Sequence, residues 1–261
     1  MSLRDSRGHP SSPHNATRAV TASTRIDRRR VERALTAAAH IGPYFAFHGE
    51  AAAVALPPQQ LYEPRRLHSL LNAVGERIGT GEARVAASTL QYRVAARCWS
   101  LVLGAWHCGD LVIDLHGLGY VFTAPGSVEL TLIDVTARDC ASSATEDVAE
   151  LIANTTVAQL TDLHTALHAV TRIADGLLWG NAASALMSAA QAVSVSRPCD
   201  ELTAVTTAIL SRPPLTDRLL RTPTGRVRRS CCLWYRTLDR SNCGDCPLTS
   251  PIDVAQNGSA Q

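Results

Sequence analysis

Residues 83–132 read ARVAASTLQYRVAARCWSLVLGAWHCGDLVIDLHGLGYVFTAPGSVELTL, and a change of period inside this stretch decides the fold class. Over its first half Val85, Leu90, Val94, Ala95, Cys98, Trp99 and Val102 recur at mixed three- and four-residue steps, the pattern of a helix with a buried face. The spacing predicts a helix that begins after Gly81 and ends near Gly109. The period then drops to two. Leu111, Ile113 and Leu115 alternate with polar or smaller neighbours, and Val128, Leu130 and Leu132 alternate with Glu129 and Thr131. His116-Gly117-Leu118-Gly119 and Ala124-Pro125-Gly126-Ser127 supply turns. The glycines of the first are too loosely spaced for a dinucleotide-binding motif. Two or three antiparallel strands at about 110–136 are expected.

Outward from this stretch the chain reads as helix on both sides. Arg28 to about His40 and Leu61 to Ile78 are predicted helices, separated by a Gly-Pro and aromatic break (Gly42, Pro43, Tyr44, Phe45, Phe47). After Ser142, Leu160, Leu163, Leu167, Val170, Ala174 and Leu177 fall on one helical stripe. Gly176 and Gly180 interrupt it, so the stretch through the alanine-rich residues 181–195 is one kinked helix or two packed ones. A short helix, Asp200 to Leu210, precedes Pro213-Pro214. The fold class is α+β, mainly α: a helical body over 26–220 with a small antiparallel sheet, then a cysteine-rich segment over 221–250. Residues 1–25 and 251–261 lack apolar periodicity and read as disordered or flexible tails.

Composition narrows the function classes. With 46% hydrophobic residues in 261, there is ample apolar material for a core. Every one of the 25 basic residues is arginine, and the net charge of +2 is too small to argue for nucleic acid. No segment runs to the roughly 20 consecutive apolar residues of a membrane span, so none is expected. Residues 1–25 contain no apolar core of signal-peptide length, so a cytoplasmic, reducing location is expected.

Four of the eight cysteines carry the strongest chemical signal. Cys231, Cys232, Cys243 and Cys246 read C-C-x10-C-x2-C, enough thiolates within sixteen residues to hold one metal site. Sulfur-only sets of four suit zinc or an iron–sulfur cluster. Adjacent cysteines are poorly placed for a mutual disulfide. The Cys243-Gly244-Asp245-Cys246 turn is expected to use positive φ at Gly244 to aim N–H groups at sulfur. Arg226, Arg228 and Arg229 are placed to offset the negative charge of such a centre. Structural zinc sites commonly space each cysteine pair by two to four residues, and a vicinal pair departs from that.

Cys231-Cys232-Leu233-Trp234-Tyr235, followed by Cys243-Gly244-Asp245-Cys246-Pro247, resembles the C-terminal signature of FhuF-type ferric siderophore reductases. Leu178-Trp179-Gly180-Asn181-Ala182-Ala183-Ser184 resembles the W-G-N segment that those proteins carry on a helix before the cluster, so the likeness is specific over residues 175–248. It implies a [2Fe–2S] cluster on Cys231, Cys232, Cys243 and Cys246. It also implies one-electron reduction of Fe(III) held by a siderophore, hydroxamate in type, with a ferredoxin or flavin reductase as electron donor. Trp179, Asn181, Arg228, Arg229 and Trp234 are the candidate siderophore or donor contacts. Two rival readings are a zinc-bearing, non-enzymatic docking module and an iron–sulfur redox sensor.

The remaining polar residues have plainer readings. His164 and His168 lie at i, i+4 but have no third ligand nearby in sequence, and His107, Asp110, Asp114 and His116 fit turn and strand-face roles. Arg236 and Arg240 either attract an anionic partner or solvate a loop. Cys98, Cys108, Cys140 and Cys199 are isolated, and Cys98 sits on the predicted buried face of its helix.

Overall fold

A computed structural model describes residues 26–46, 53–223 and 225–249. The expected tails fall outside the described residues, as does Phe47. Seven α-helices occur among the described residues: α1 (Arg28–Ala39), α2 (Pro58–Leu61), α3 (Pro64–Ile78), α4 (Ala83–Gly109), α5 (Thr145–Val170), α6 (Asp175–Ser196) and α7 (Asp200–Leu210). The fold is mainly α with small antiparallel sheets, as the periodicity predicts.

Helix α4 is the axis of the molecule. Its 27 residues span about 40 Å at 1.5 Å per residue. They pack against α1, α3, α5 and α6. The expected single buried face is an underestimate, because Ala95 through Trp106 are all buried. Small side chains make this possible. Ala182 and Ala183 of α6 are fully buried, and the Trp99 indole N–H donates to the Ala182 carbonyl at 2.9 Å. A Cβ on Gly104 would stand 2.9 Å from Ala38 Cβ and 2.8 Å from Phe45, so α1 closes on α4 only over a glycine.

The β structure differs from one small sheet. Strands β2 (Leu118–Ala124) and β3 (Ser127–Leu132) form a hairpin whose turn places Gly126 at φ +68°. Strand β1 (Leu111–Ile113) instead pairs with β4 (Ala137–Asp139). Leu115 to Gly117 form a 3₁₀ turn, capped by the Asp114 carboxylate on the His116 N–H, so Leu115 does not continue the strand. Leu118 and Gly119, read as part of a turn, already belong to β2. A third pair, β5 (Leu219–Thr222) and β6 (Gly225–Arg228), was not anticipated and leads directly into the cysteines.

The long stripe from Leu160 to Leu177 is two helices, and the break is not at the glycines. Helix α5 ends at Val170 with Thr171 extended, and α6 starts at Asp175. Ala174 is therefore the N-cap of α6 rather than a member of the stripe. His168 Nε2 and Asp175 Oδ1, 2.8 Å apart, bridge the corner. Gly180 lies inside α6, where its missing Cβ serves a contact described next.

Candidate metal centre

The cysteine segment runs from the end of β6 across one end of the helical body, and each part of it is tied to a different helix. Ser230 Oγ donates to the Gly176 carbonyl at 2.7 Å, over Gly180, where a Cβ would come within 2.3 Å of that hydroxyl. Ser88 of α4 donates to the Cys232 carbonyl at 2.7 Å. Beyond the cysteine pair, Arg236 pairs with Glu82 at 2.9 Å, and the Leu238 N–H donates to the Ile78 carbonyl at 3.0 Å. Leu238 also packs on Gly79, the left-handed cap of α3, where a Cβ would clash at 2.6 Å. Two glycines at close approaches thus admit the loop to the helices.

Arg228 is the charged centre of the arrangement. It is 2% exposed. One guanidinium nitrogen donates to Asn181 Oδ1 at 2.7 Å, and the other approaches Cys243 Sγ at 2.6 Å and Asp245 Oδ1 at 2.8 Å. Burial opposes its charge, but Asp245 and the sulfurs of Cys232 and Cys243 more than offset this, and its pKa stands above the ordinary arginine value. Asn181 is itself held by α4, donating to the Ser88 carbonyl and hydroxyl at 3.2 and 3.0 Å.

The four cysteines are free thiols brought to one end of the molecule. Cys232 Sγ and Cys243 Sγ lie 3.4 Å apart. Hydrogen bonding between these two sulfurs, opposed by burial and helped by Arg228, pulls Cys232 down to about 6, while Cys243 is driven up as the partner that keeps the proton. Backbone N–H groups point at the outer two sulfurs, Leu233 N–H to Cys231 at 3.3 Å and Leu248 N–H to Cys246 at 3.4 Å. Cys246 is buried. Among the described residues, no three His, Cys, Asp or Glu side chains group around a single metal-sized point.

Gly244 does not adopt the expected positive φ. The Cys243–Cys246 turn is closed by the Cys246 N–H on the Cys243 carbonyl at 3.1 Å, which a turn with negative φ at both central residues achieves. The left-handed residue is instead Leu233 at φ +68°, immediately after the vicinal pair, and its N–H reaches Cys231.

Of the candidate contacts, Trp179 and Asn181 are buried, Trp179 edge-on to His164 at 4.3 Å between centroids. Arg229 is exposed, and Trp234 is half-buried on the wall of a cleft. That cleft has a volume of about 1120 Å³ and opens onto Cys232 and Cys243. Asp245, Ser88 and Ser230 carried no assigned role in the sequence. Asp245 stood in view inside the C-x2-C turn, whereas nothing local marks Ser88 or Ser230.

The other candidates are not assembled into sites. His164 is buried against Gln91, with the Gln91 Nε2 and His164 Nε2 atoms 3.0 Å apart, while His168 faces Asp175. Asp110 caps α4 in the left-handed conformation, and Asp114 holds the His116 ring at 2.6 Å. Burial pushes the Cys98 thiol up to about 12, and burial also raises Cys108 and Cys140.

The donor set fits an iron–sulfur centre in its chemistry. Thiolates around a cluster core would carry net negative charge, and the buried Arg228 guanidinium and the two N–H···S contacts are placed to offset it. No curated protein matches the chain. Residues 228–248 match the family model described as the FhuF 2Fe-2S C-terminal domain. That match takes in Arg228, all four cysteines and the loop between them, is consistent with an FhuF-type family, and gives the chain a [2Fe–2S] cluster as its cofactor.

Proposed function

We propose that the protein is a cytoplasmic ferric siderophore reductase in which Cys231, Cys232, Cys243 and Cys246 hold the cluster. The observation that supports this reading is the cleft of about 1120 Å³ lined in part by Cys232 and Cys243, which would admit a bulky chelate beside two of the four cysteines. When bound, the cluster accepts and passes on single electrons. The substrate needs one. Hard anionic oxygen ligands hold Fe(III) far more firmly than Fe(II), so an electron taken from a ferredoxin or flavin reductase and delivered to the chelate loosens the metal.

The chain's own residues supply position and charge balance. Arg228 lies against Cys243 and keeps the sulfur end of the cleft from accumulating uncompensated negative charge. Asn181, Ser88 and Ser230 fix the loop to α4 and α6, so the distance between sulfur and cleft is set by rigid helices. Among the described residues no helix is long and apolar enough to cross a membrane.

The test is a visible and electron paramagnetic resonance spectrum of anaerobically purified protein before and after dithionite, with iron and sulfide analysis. Reduced, desalted protein is then mixed with a ferric siderophore and an Fe(II)-trapping dye. Bleaching, a half-spin signal and stoichiometric Fe(II) release are expected. Cys231→Ser and Cys246→Ser should remove most of the cluster and all release. A reduced cluster that oxygen reoxidises but ferric chelates do not would overturn the reductase reading in favour of a sensor.

A further inference from the structure

The β5–β6 hairpin forms one wall of the cleft, and it carries a charge pattern that the sulfur site does not use. Arg221 and Arg226 are directly opposed across the two strands, and Arg228 follows Arg226 by two residues on the same strand face. All three line the cleft. Arg228 is occupied by Asn181, Cys243 and Asp245. Arg221 and Arg226 have no carboxylate partner among the described residues, and Arg93, on the far wall, shares Glu129 with Arg97. Like charges directly opposed on a sheet cost stability. Burial, and then the charge of the exposed Arg221, push the pKa of the half-buried Arg226 guanidinium down.

We infer that Arg221 and Arg226 form an anion-binding site in the cleft and that the ligand is a net-negative, oxygen-donor metal chelate rather than a neutral or cationic one. The inference rests on the reductase reading for the presence of iron in the ligand, but not for its charge. Guanidinium groups suit this chemistry, because their planar forks donate to two carboxylate or catecholate oxygens at once. The aromatic walls, Tyr92 and Trp234, offer apolar surface to the organic part of a ligand. A volume of about 1120 Å³ accommodates a hexadentate chelate with its backbone. A ligand anion between the opposed arginines relieves their repulsion, and the site discriminates by charge as well as shape.

Gallium(III) chelates test this without any electron transfer, since gallium(III) is not reduced under these conditions. Calorimetry on the cluster-loaded protein compares two hydroxamate complexes of opposite charge: a polyanionic gallium(III) complex of a citrate-centred dihydroxamate, and the monocationic gallium(III) complex of desferrioxamine B. The wild type should bind the anionic complex at least roughly tenfold more tightly, with the preference shrinking as salt is raised. Arg221→Gln with Arg226→Gln should weaken the anionic complex by roughly a hundredfold, about tenfold for each charge-assisted contact. The cationic complex should not weaken. An unchanged affinity for the anionic complex in the double variant, or a wild-type preference for the cationic one, would overturn the inference. The wild-type comparison requires no variant, so it decides the question even if the altered hairpin folds poorly. The ferric forms of the same chelates separate the two readings. Charge-selective gallium binding without reoxidation of the reduced cluster leaves the anion site standing and removes the reductase, whereas reoxidation without charge selectivity does the reverse.

Discussion

Arg228 and Asn181 act as one unit, although 47 residues separate them. Asn181 makes three hydrogen bonds to two residues: its oxygen accepts from the Arg228 guanidinium, and its nitrogen donates to the Ser88 carbonyl and hydroxyl. Removing Arg228 leaves the buried Asn181 oxygen and the partly exposed Asp245 carboxylate without their partner. Arg228→Gln should therefore cost roughly 1–3 kcal/mol, the scale for leaving a buried hydrogen-bonding group without its partner. Urea unfolding of the variant measures this, and its iron content should fall in parallel. Gly244 gives the opposite expectation. A Cβ there meets nothing within 4 Å and its φ is not positive, so Gly244→Ala should change stability by less than about 0.5 kcal/mol and leave the visible spectrum intact. A large loss of iron in Gly244→Ala would mean that the turn requires a glycine backbone after all.

At the scale of elements, the cysteine loop is docked rather than self-supporting. Its anchors are Ser230 on α6, Ser88 on α4, and Leu238 with Arg236 at the α3–α4 corner. Gly180 is the tightest of these contacts, and adding a methyl group there forces Ser230 away from the helix. Gly180→Ala should destabilise by about 1–3 kcal/mol, the usual cost of overpacking. The effect should be concentrated at residues 229–248, with faster amide hydrogen exchange there and about tenfold quicker loss of iron to a chelator. Exchange rising uniformly over α6 instead would show that the substitution disturbs the helix and not the docking. This is also the physical account of the W-G-N segment: Gly180 admits Ser230 and Asn181 takes Arg228, so these two support the cysteine loop, while Trp179 packs on His164 within the helical body.

For the molecule as a whole, the junction of α4, α5 and α6 sets the response to acid. His164 is buried there beside Gln91 and Trp179, and burial lowers its pKa to about 4. The unfolded chain binds that proton near pH 6.5, so stability holds above this value and falls as the pH drops from 6.5 toward 4, by about 3 kcal/mol in all. Asp114 and Asp139, whose pKa values lie below the ordinary carboxylate range, lose their contribution only at lower pH, and the exposed His116, raised by Asp114, acts in the opposite sense. Urea midpoints measured from pH 7 to 4 should show this slope in the wild type and a flatter one in His164→Gln; parallel curves would assign the acid sensitivity elsewhere. Much of the architecture was legible in the residues themselves. The ends of α1 and α4, the Pro125-Gly126 hairpin turn and the grouping of four cysteines each follow from local propensity or spacing, which act within a few residues. The break after Val170, the β1–β4 pairing and the β5–β6 hairpin were not legible, because each depends on what packs against the segment. The same division holds at the site. The sequence by itself grouped four thiols as candidate ligands, since adjacent cysteines and a C-x2-C turn are local features, while the [2Fe–2S] type rests on the family-model match over residues 228–248. Only the tertiary structure decided that Arg228 is the buried counter-charge, that Asn181 and Ser88 hold it, and that two further arginines face the cleft, because burial and opposition across strands arise from contacts between residues far apart in the chain.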